Sequence, residues 1–289
     1  MSGARRLREL LEGETLIVAP GVYDGISAAL VGRVGFPAAY MTGAGVSASG
    51  FGLPDVGLVT LTEMARSART LAGMLDVPLI ADADTGYGSP INVVRTVREY
   101  ESAGVAAIQL EDQMFPKRCG HLAGKEVIDA ERFARVLEAA LDARSDPDTV
   151  IIARTDARAP LGLDEAIGRA RRYAEIGADV IFVEAPESVE EVERIAAEVR
   201  APLLFNVVAG GRTPAIPSQR LAALGFRIAI HPLAALIAAA NGAGEALSSL
   251  ARTGEFAALS DPTSLFELFD VSDWNALGER YGADHGPSR

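Results

Sequence analysis

Eight short apolar runs recur along the chain, each ending in a polar or glycine-rich turn and followed by a helical pattern. They are LIVAPG from Leu16, AAYMTG from Ala38, PLIADADTG from Pro78, AAIQLED from Ala106, TVIIARTD from Thr149, VIFVEAP from Val180, PLLFNVV from Pro202 and RIAIHP from Arg227. Continuous rather than alternating apolar character marks a strand buried on both faces. The stretches between are amphipathic: Leu163–Gly177 and Ser188–Arg200 put Ala, Ile, Leu and Val on one face and charges on the other. Gly104, Gly177 and Gly225 stand where a helix end wants a left-handed cap. Eight strand-then-helix units in 289 residues is the arithmetic of a (β/α)8 TIM barrel. A doubly wound open sheet usually has fewer strands, and the first loop, PGVYDG, lacks its GxGxxG fingerprint.

No linker or low-complexity stretch divides the chain, so residues 1–289 read as one barrel domain with a C-terminal helical extension from about 243. Phe266, Phe269 and Trp274 in that extension are apolar bulk with no barrel strand to cover. They suit packing on another subunit or on the chain's own barrel. A net charge of −12, with arginines scattered beside glutamates, argues against nucleic-acid and anionic-membrane surfaces. The N-terminus lacks the apolar core of a signal peptide, and no apolar run reaches the ~18 residues that span a bilayer. A single cysteine forms no internal disulfide, so the reducing cytoplasm is the expected compartment.

Barrel enzymes place their chemistry at the C-terminal strand ends. Here those ends carry Tyr40 to Gly45, Asp82 to Gly88, Glu111 to Gln113, Arg154 to Asp156, Glu184, Asn206 and His231. Charges on core strands are costly to bury, so such convergence points to a site. Asp82 and Asp84, two apart on a strand, should face the same way. Two such carboxylates repel unless they share a proton or a cation. With Glu111 and Glu184 nearby, an all-oxygen shell for Mg²⁺ or Mn²⁺ is the economical answer. A turn motif is the alternative for the aspartates alone, since Asp before Gly is common turn chemistry.

Lys117-Arg118-Cys119-Gly120-His121 surrounds the lone cysteine with positive charge, which lowers a thiol pKa. The stretch Met114–Lys125 is long enough to act as a lid. Nucleophile and general acid are both open to this thiol; the absence of acyl-transfer partners and the carboxylate cluster favour the acid. Arg154 suits a bidentate grip on a carboxylate, or an internal salt bridge with Asp156, Asp82 or Glu184. Thr42, Gly43, Ala44 and Gly45 can present backbone N–H groups to an anion. His231 reads as structural.

At these residues the sequence resembles the isocitrate lyase/phosphoenolpyruvate mutase superfamily, from about Leu16 to Tyr281. The matching stretches are PGVYDGISA, TGAGVSAS, GLPD, ADADTGYG, QLEDQ, PKRCGH, ARTDA, VEAPES, NVV with GGRTP, and HPLAAL. KRCGH is the most specific, and it resembles the lyase branch, which cleaves a carbon–carbon bond; the mutase and phosphonopyruvate hydrolase branches carry no cysteine there. The resemblance implies Mg²⁺ dependence, a mobile flap bearing the cysteine, and a homotetramer in which C-terminal helices swap between paired subunits.

Carried over residue by residue, the resemblance implies that Asp82 and Asp84 carry the metal, with Asp55 and Glu111 in the same shell, partly through water. Thr42, Gly43 and Ala44 hold a 2-oxo acid carboxylate. Arg154, Glu184 and Asn206 line the pocket, and Lys117, Cys119, Gly120 and His121 close over it. The implied reaction cleaves a 2-hydroxy di- or tricarboxylate, of 2-methylisocitrate or 2-alkylmalate type, to pyruvate or another 2-oxo acid. The other fragment leaves as an aci-carboxylate, which Cys119 protonates; Tyr40 is a candidate for the base. Alternatives on the same site are oxaloacetate hydrolysis or decarboxylation, and phosphonopyruvate or phosphoenolpyruvate mutase chemistry. Two departures bear on substrate identity: Ala209 where an acid is common, and His231 before Pro232 where a tyrosine is common.

Overall fold

The computed structural model describes residues 1–118, 124–208, 210–211, 213–255 and 261–282. All eight apolar runs form strands: β1 Ile17–Val22, β2 Ala39–Met41, β3 Leu79–Asp82, β4 Ala107–Glu111, β5 Val150–Thr155, β6 Val180–Val183, β7 Leu203–Asn206 and β8 Phe226–His231. They close in sequence order into one parallel barrel, with β8 returning to β1. Nearly every strand position is buried, as continuous apolar runs demand when helices cover the outer face.

The helices are α1 Gly3–Glu12, α2 Gly25–Val34, α3 Gly43–Phe51, α4 Leu61–Met74, α5 Pro90–Ser102, α6 Ala130–Ala143, α7 Arg158–Leu161, α8 Leu163–Ile176, α9 Val189–Glu198, α10 Ser218–Ala223 and α11 Ala234–Thr253. Beyond them lie α12 Pro262–Phe266 and α13 Val271–Arg280. Local chemistry sets the ends of the two amphipathic helices. Ser188 caps α9 by accepting from the Glu191 N–H, and Gly177 ends α8 in the left-handed region at φ 110°.

Two apolar layers result. Leu7, Ile17, Ala19, Tyr40, Ile80, Ile152, Phe182, Leu204 and Ile228 fill the barrel interior. A larger layer joins the outer strand faces to the helices, among them Phe133 and Tyr173 edge to face at 4.9 Å. Helix α1 lies across the N-terminal strand ends. Its Arg8 donates to the Asp148 and Thr149 carbonyls, Arg6 to the Asp76 carbonyl, and its Leu11 carbonyl accepts from Arg227. That end is closed, which leaves the C-terminal end for chemistry.

The chain divides into two compact units, Met1–Ile237 and Ala238–Arg289. The first is the barrel. Helix α11 runs unbroken from Ala234 to Thr253, so the last barrel helix and the extension expected from about 243 begin as one element. The second unit is helical and exposes Leu247, Phe266 and Trp274.

Candidate active site

Alternation along the strands decides which side chains reach the barrel mouth. Strand register places Asp82 beside Gln109, Glu111 beside Arg154, and Arg154 beside Phe182. Side chains at matched positions meet: Gln109 Nε2 lies 3.4 Å from Asp82 Oδ1, Arg154 Nε 3.3 Å from Glu111 Oε2, and the Arg154 guanidinium 5.1 Å from the Phe182 ring centre. Asp112, one residue further, turns to the helices instead. It accepts from Arg169 at 3.0 Å and from the Tyr173 hydroxyl at 3.0 Å, both on α8.

The spacing argument for Asp82 and Asp84 needs correction. Strand β3 ends at Asp82, and Asp84 lies in the following turn with φ 48°. They meet because the turn folds back, with the Asp84 N–H donating to Asp82 Oδ1 at 3.1 Å. Lys117 is buried against this pair. Its Nζ lies 2.7 Å from Asp84 Oδ1 and also hydrogen-bonds Asp55. Asp55, from the loop after α3, is thereby drawn to the same centre.

The N-terminus of α3 approaches from β2. The Thr42 side chain caps it by accepting from the Gly45 N–H at 3.2 Å. The first N–H groups of a helix, here of Gly43 and Ala44, have no intrahelical acceptor and suit an anion. A β-carbon on Gly43 would sit 2.7 Å from Asp82 Oδ2, so only glycine lets the helix come this close.

Arg154 sits among three carboxylates. Asp156 takes its Nε at 2.8 Å and Nη2 at 3.0 Å, Glu111 lies at 3.3 Å and Glu184 at 3.8 Å. Asn206 Nδ2 lies 3.3 Å from Glu184 Oε2. Tyr40, Thr42, Ala44, Asp55, Asp82, Glu111, Lys117, Arg154, Glu184 and Asn206 all line one small cavity, with Val208, Ile230, Pro232 and Leu233 on its apolar side.

Burial dominates the electrostatics. It pushes the Asp82 carboxyl up to about 6, with repulsion from Asp84 adding and Lys117 and Arg154 opposing. Burial likewise raises Glu111 well above the carboxylate range, against the pull of Arg154. Burial works against the charge of Lys117, but Asp84, Glu111, Asp82 and Asp55 outweigh it and hold the ammonium firmly. The Tyr40 phenol is pushed well up by burial and then by Asp82.

Among the described residues no group of three or more His, Cys, Asp or Glu side chains could hold a metal. Mg²⁺ asks for less: one or two carboxylates, with water and substrate completing an octahedron. Asp82 and Asp84 meet that need, with Asp55 and Glu111 within reach of coordinated water. Glu111 Oε1 and Gln109 Oε1 are buried acceptors without a hydrogen-bond donor among the described residues. The all-oxygen set and these orphaned acceptors fit a hydrated hard cation.

The structure thus gathers Tyr40, Thr42, Gly43, Ala44, Asp55, Asp82, Asp84, Glu111, Lys117, Arg154, Glu184 and Asn206 at one end of the barrel. Cys119, Gly120, His121 and Ala209 lie outside the described residues. His231 lines a separate groove with Val18, Leu30 and Val34. Sequence reasoning missed Lys125, whose buried Nζ donates to Asp156 at 2.7 Å. A signal was present: of the 27 basic residues two are lysine, Lys117 and Lys125, and both are buried.

A family profile described as phosphoenolpyruvate phosphomutase matches residues 7–251. The 2,3-dimethylmalate lyase of Eubacterium barkeri is 47% identical over 270 residues, covering 93% of each chain. The 2-methylisocitrate lyase of Aeropyrum pernix is 43% identical over 272 residues, 93% of this chain and 87% of that one. Among solved structures, oxaloacetate acetylhydrolase in complex with 3,3-difluorooxalacetate superposes with TM-score 0.95 at 41% identity, covering 99% of both chains. Phosphonopyruvate hydrolase in complex with oxalate and Mg²⁺ superposes with TM-score 0.88 at 31% identity, covering 97% of this chain and 99% of that one.

Proposed function

The chain belongs to the phosphoenolpyruvate phosphomutase family, and on that premise we propose that it is a Mg²⁺-dependent carbon–carbon lyase. Its substrate is a 2-hydroxy di- or tricarboxylate of 2-alkylmalate or 2-methylisocitrate type, and its products are pyruvate or another 2-oxo acid and a carboxylic acid. The observation that carries this reading is the meeting of Asp82, Asp84 and the α3 N-terminus at the cavity that Asp82, Ala44 and Arg154 line. Two relatives with these activities, 47% and 43% identical, support it.

Asp82 and Asp84 would hold the ion, with Asp55 and Glu111 binding its water. When bound, the ion supplies Lewis-acid charge that favours an ionised substrate hydroxyl. The Gly43 and Ala44 N–H groups, with Thr42, hold the carboxylate that stays on the 2-oxo acid. Arg154 grips a second carboxylate, and Glu184 and Asn206 flank the reacting carbons. As the hydroxyl gives its proton to solvent, its oxygen becomes the carbonyl of the 2-oxo acid, and the carbon–carbon electron pair leaves with the other fragment. That fragment is an aci-carboxylate. Cys119 transfers its thiol proton to the carbon, while Lys117 and His121 balance the negative charge. The reducing cytoplasm keeps Cys119 a thiol.

The assembly is a homotetramer built from helix-swapped dimers. Helix α2 exposes Ile26, Leu30 and Val34 at helical spacing, beside a groove formed with Val18, Val31 and Phe36. Such a stripe on a barrel helix supports a covering partner.

The test is a panel of 2-methylisocitrate, 2,3-dimethylmalate, citramalate, oxaloacetate and phosphonopyruvate, with Mg²⁺ present and products identified. Pyruvate from a hydroxy acid, abolished by EDTA, is expected. The likeness to oxaloacetate acetylhydrolase favours a second reading; oxalate and acetate from oxaloacetate, with no hydroxy acid cleaved, would establish it.

A further inference from the structure

The pocket's arginine is already gripped by a carboxylate. Asp156 takes both Nε and Nη2 of Arg154. That fork fixes the guanidinium plane and leaves Nη1 without a hydrogen bond to any described residue. It also cancels the charge that an incoming carboxylate would need, and Glu111 and Glu184 stand close behind. A substrate-binding arginine so surrounded should be a poor anion receptor.

Lys125 offsets part of this. Its side chain is 1% exposed and its Nζ donates at 2.7 Å to Asp156 Oδ1, the same oxygen that accepts from Arg154 Nη2. Lys125 thus matches the charge of Asp156, and of the three carboxylates around Arg154 it leaves Glu111 and Glu184 to be offset by the guanidinium. Burial alone would raise the Asp156 carboxyl, but the two cations hold it ionised well below the ordinary range. Asp156 is itself anchored, since its N–H donates to Asp112 Oδ1 at 2.8 Å and Asp112 takes Thr155, Arg169 and Tyr173 on its other oxygen.

We propose that Lys125 is a positioning residue for the substrate-carboxylate site: through Asp156 it holds Arg154 in plane, and it offsets the Asp156 charge that would otherwise oppose an anionic substrate. This rests on the reading of Arg154 as a carboxylate receptor, and it goes beyond it by naming a residue that touches no substrate.

The experiment measures oxalate binding by calorimetry at saturating Mg²⁺, and Mg²⁺ binding alone, for the wild type and for Lys125→Met, Lys125→Gln and Lys125→Arg. Glutamine keeps a donor to Asp156 without the charge, and serves if the methionine variant does not fold. Oxalate binding should weaken about tenfold in Lys125→Met and Lys125→Gln, the size expected for one charge acting over several ångströms at an effective dielectric of about 20. Lys125→Arg keeps the charge and should lose less oxalate affinity than Lys125→Gln. Mg²⁺ binding should be no weaker, because removing a cation from an acidic site cannot repel a cation. A general loss of structure would weaken both ligands. Wild-type oxalate affinity in Lys125→Gln, or a parallel loss of Mg²⁺ affinity, overturns the proposal. A wild-type protein that binds Mg²⁺ but not oxalate overturns the carboxylate-site reading itself, and this inference with it.

Discussion

A β-carbon on Gly43 would lie 2.7 Å from Asp82 Oδ2 and 3.6 Å from Asp84 Oδ1. The helix N-terminus and the acidic pair are therefore in contact through an absent side chain. Gly43→Ala forces Asp82 to turn or α3 to withdraw. Overpacking of this kind costs about 1–3 kcal/mol. Urea unfolding should show that loss, and Mg²⁺-titrated activity should fall at least about tenfold if about 1.4 kcal/mol of it reaches the site. Gly50, on the same helix, has nothing within 4 Å of its would-be β-carbon. Gly50→Ala should leave activity unchanged and stabilise by about 0.5–1 kcal/mol.

Asp82 gives the site a pH dependence. Its carboxyl is raised from 3.8 to about 6, chiefly by burial. A raised acid pKa means the fold prefers the protonated form, so this group's contribution to metal-free stability is present at low pH and lost as pH rises through about 6. Mg²⁺ demands the ionised form. Its affinity should therefore fall as pH drops below about 6, with a proton released on binding. Calorimetry in buffers of different ionisation enthalpy checks both; a flat affinity across that range would contradict the assignment of Asp82.

Asp112 holds the outer end of the buried network. It accepts from Thr155 at 2.7 Å, Arg169 at 3.0 Å, Tyr173 at 3.0 Å and the Asp156 N–H at 2.8 Å. Asp112→Asn removes the buried one of Arg169's two carboxylate partners and leaves Glu165 at 2.8 Å, and losing hydrogen bonds to a charged group costs about 1.5–3 kcal/mol. Equilibrium unfolding should show that loss.

Cys119→Ser and Cys119→Ala should lose about 10²- to 10⁴-fold in kcat, the range of a removed general acid, with Mg²⁺ affinity unchanged. Steady-state kinetics on the best panel substrate reads this. Full activity in both variants would remove the thiol from the reaction.

Assembly can be tested on α2. Ile26, Leu30 and Val34 are 48%, 46% and 70% exposed. Replacing all three by serine should lower the sedimenting mass relative to the wild type while leaving the circular dichroism unchanged. An unaltered mass would place the interface elsewhere.

The eight strands were legible because a strand buried on both faces has to be apolar throughout, so each run announces itself without tertiary knowledge. The strand ends were legible for a related reason: Tyr40, Asp82, Glu111, Arg154, Glu184 and Asn206 stand where apolar character breaks, always on the same side of the run. Turn geometry was not legible. Asp84 reaches Asp82 through a backbone at φ 48°, which residue spacing does not encode.

The amino-acid sequence by itself determined the barrel, the end of it that carries chemistry and the residue types gathered there, because burial periodicity and strand order are local properties read one residue at a time. Only the tertiary structure decided the pairings: Lys117 with Asp55 and Asp84, Lys125 with Asp156, and Asp156 with Arg154. Lys117 and Asp55 are 62 positions apart and Lys125 and Asp156 are 31 apart. Which buried charge meets which is settled by the three-dimensional packing of loops on the barrel rim, where desolvation makes each unpaired charge costly and leaves one workable arrangement.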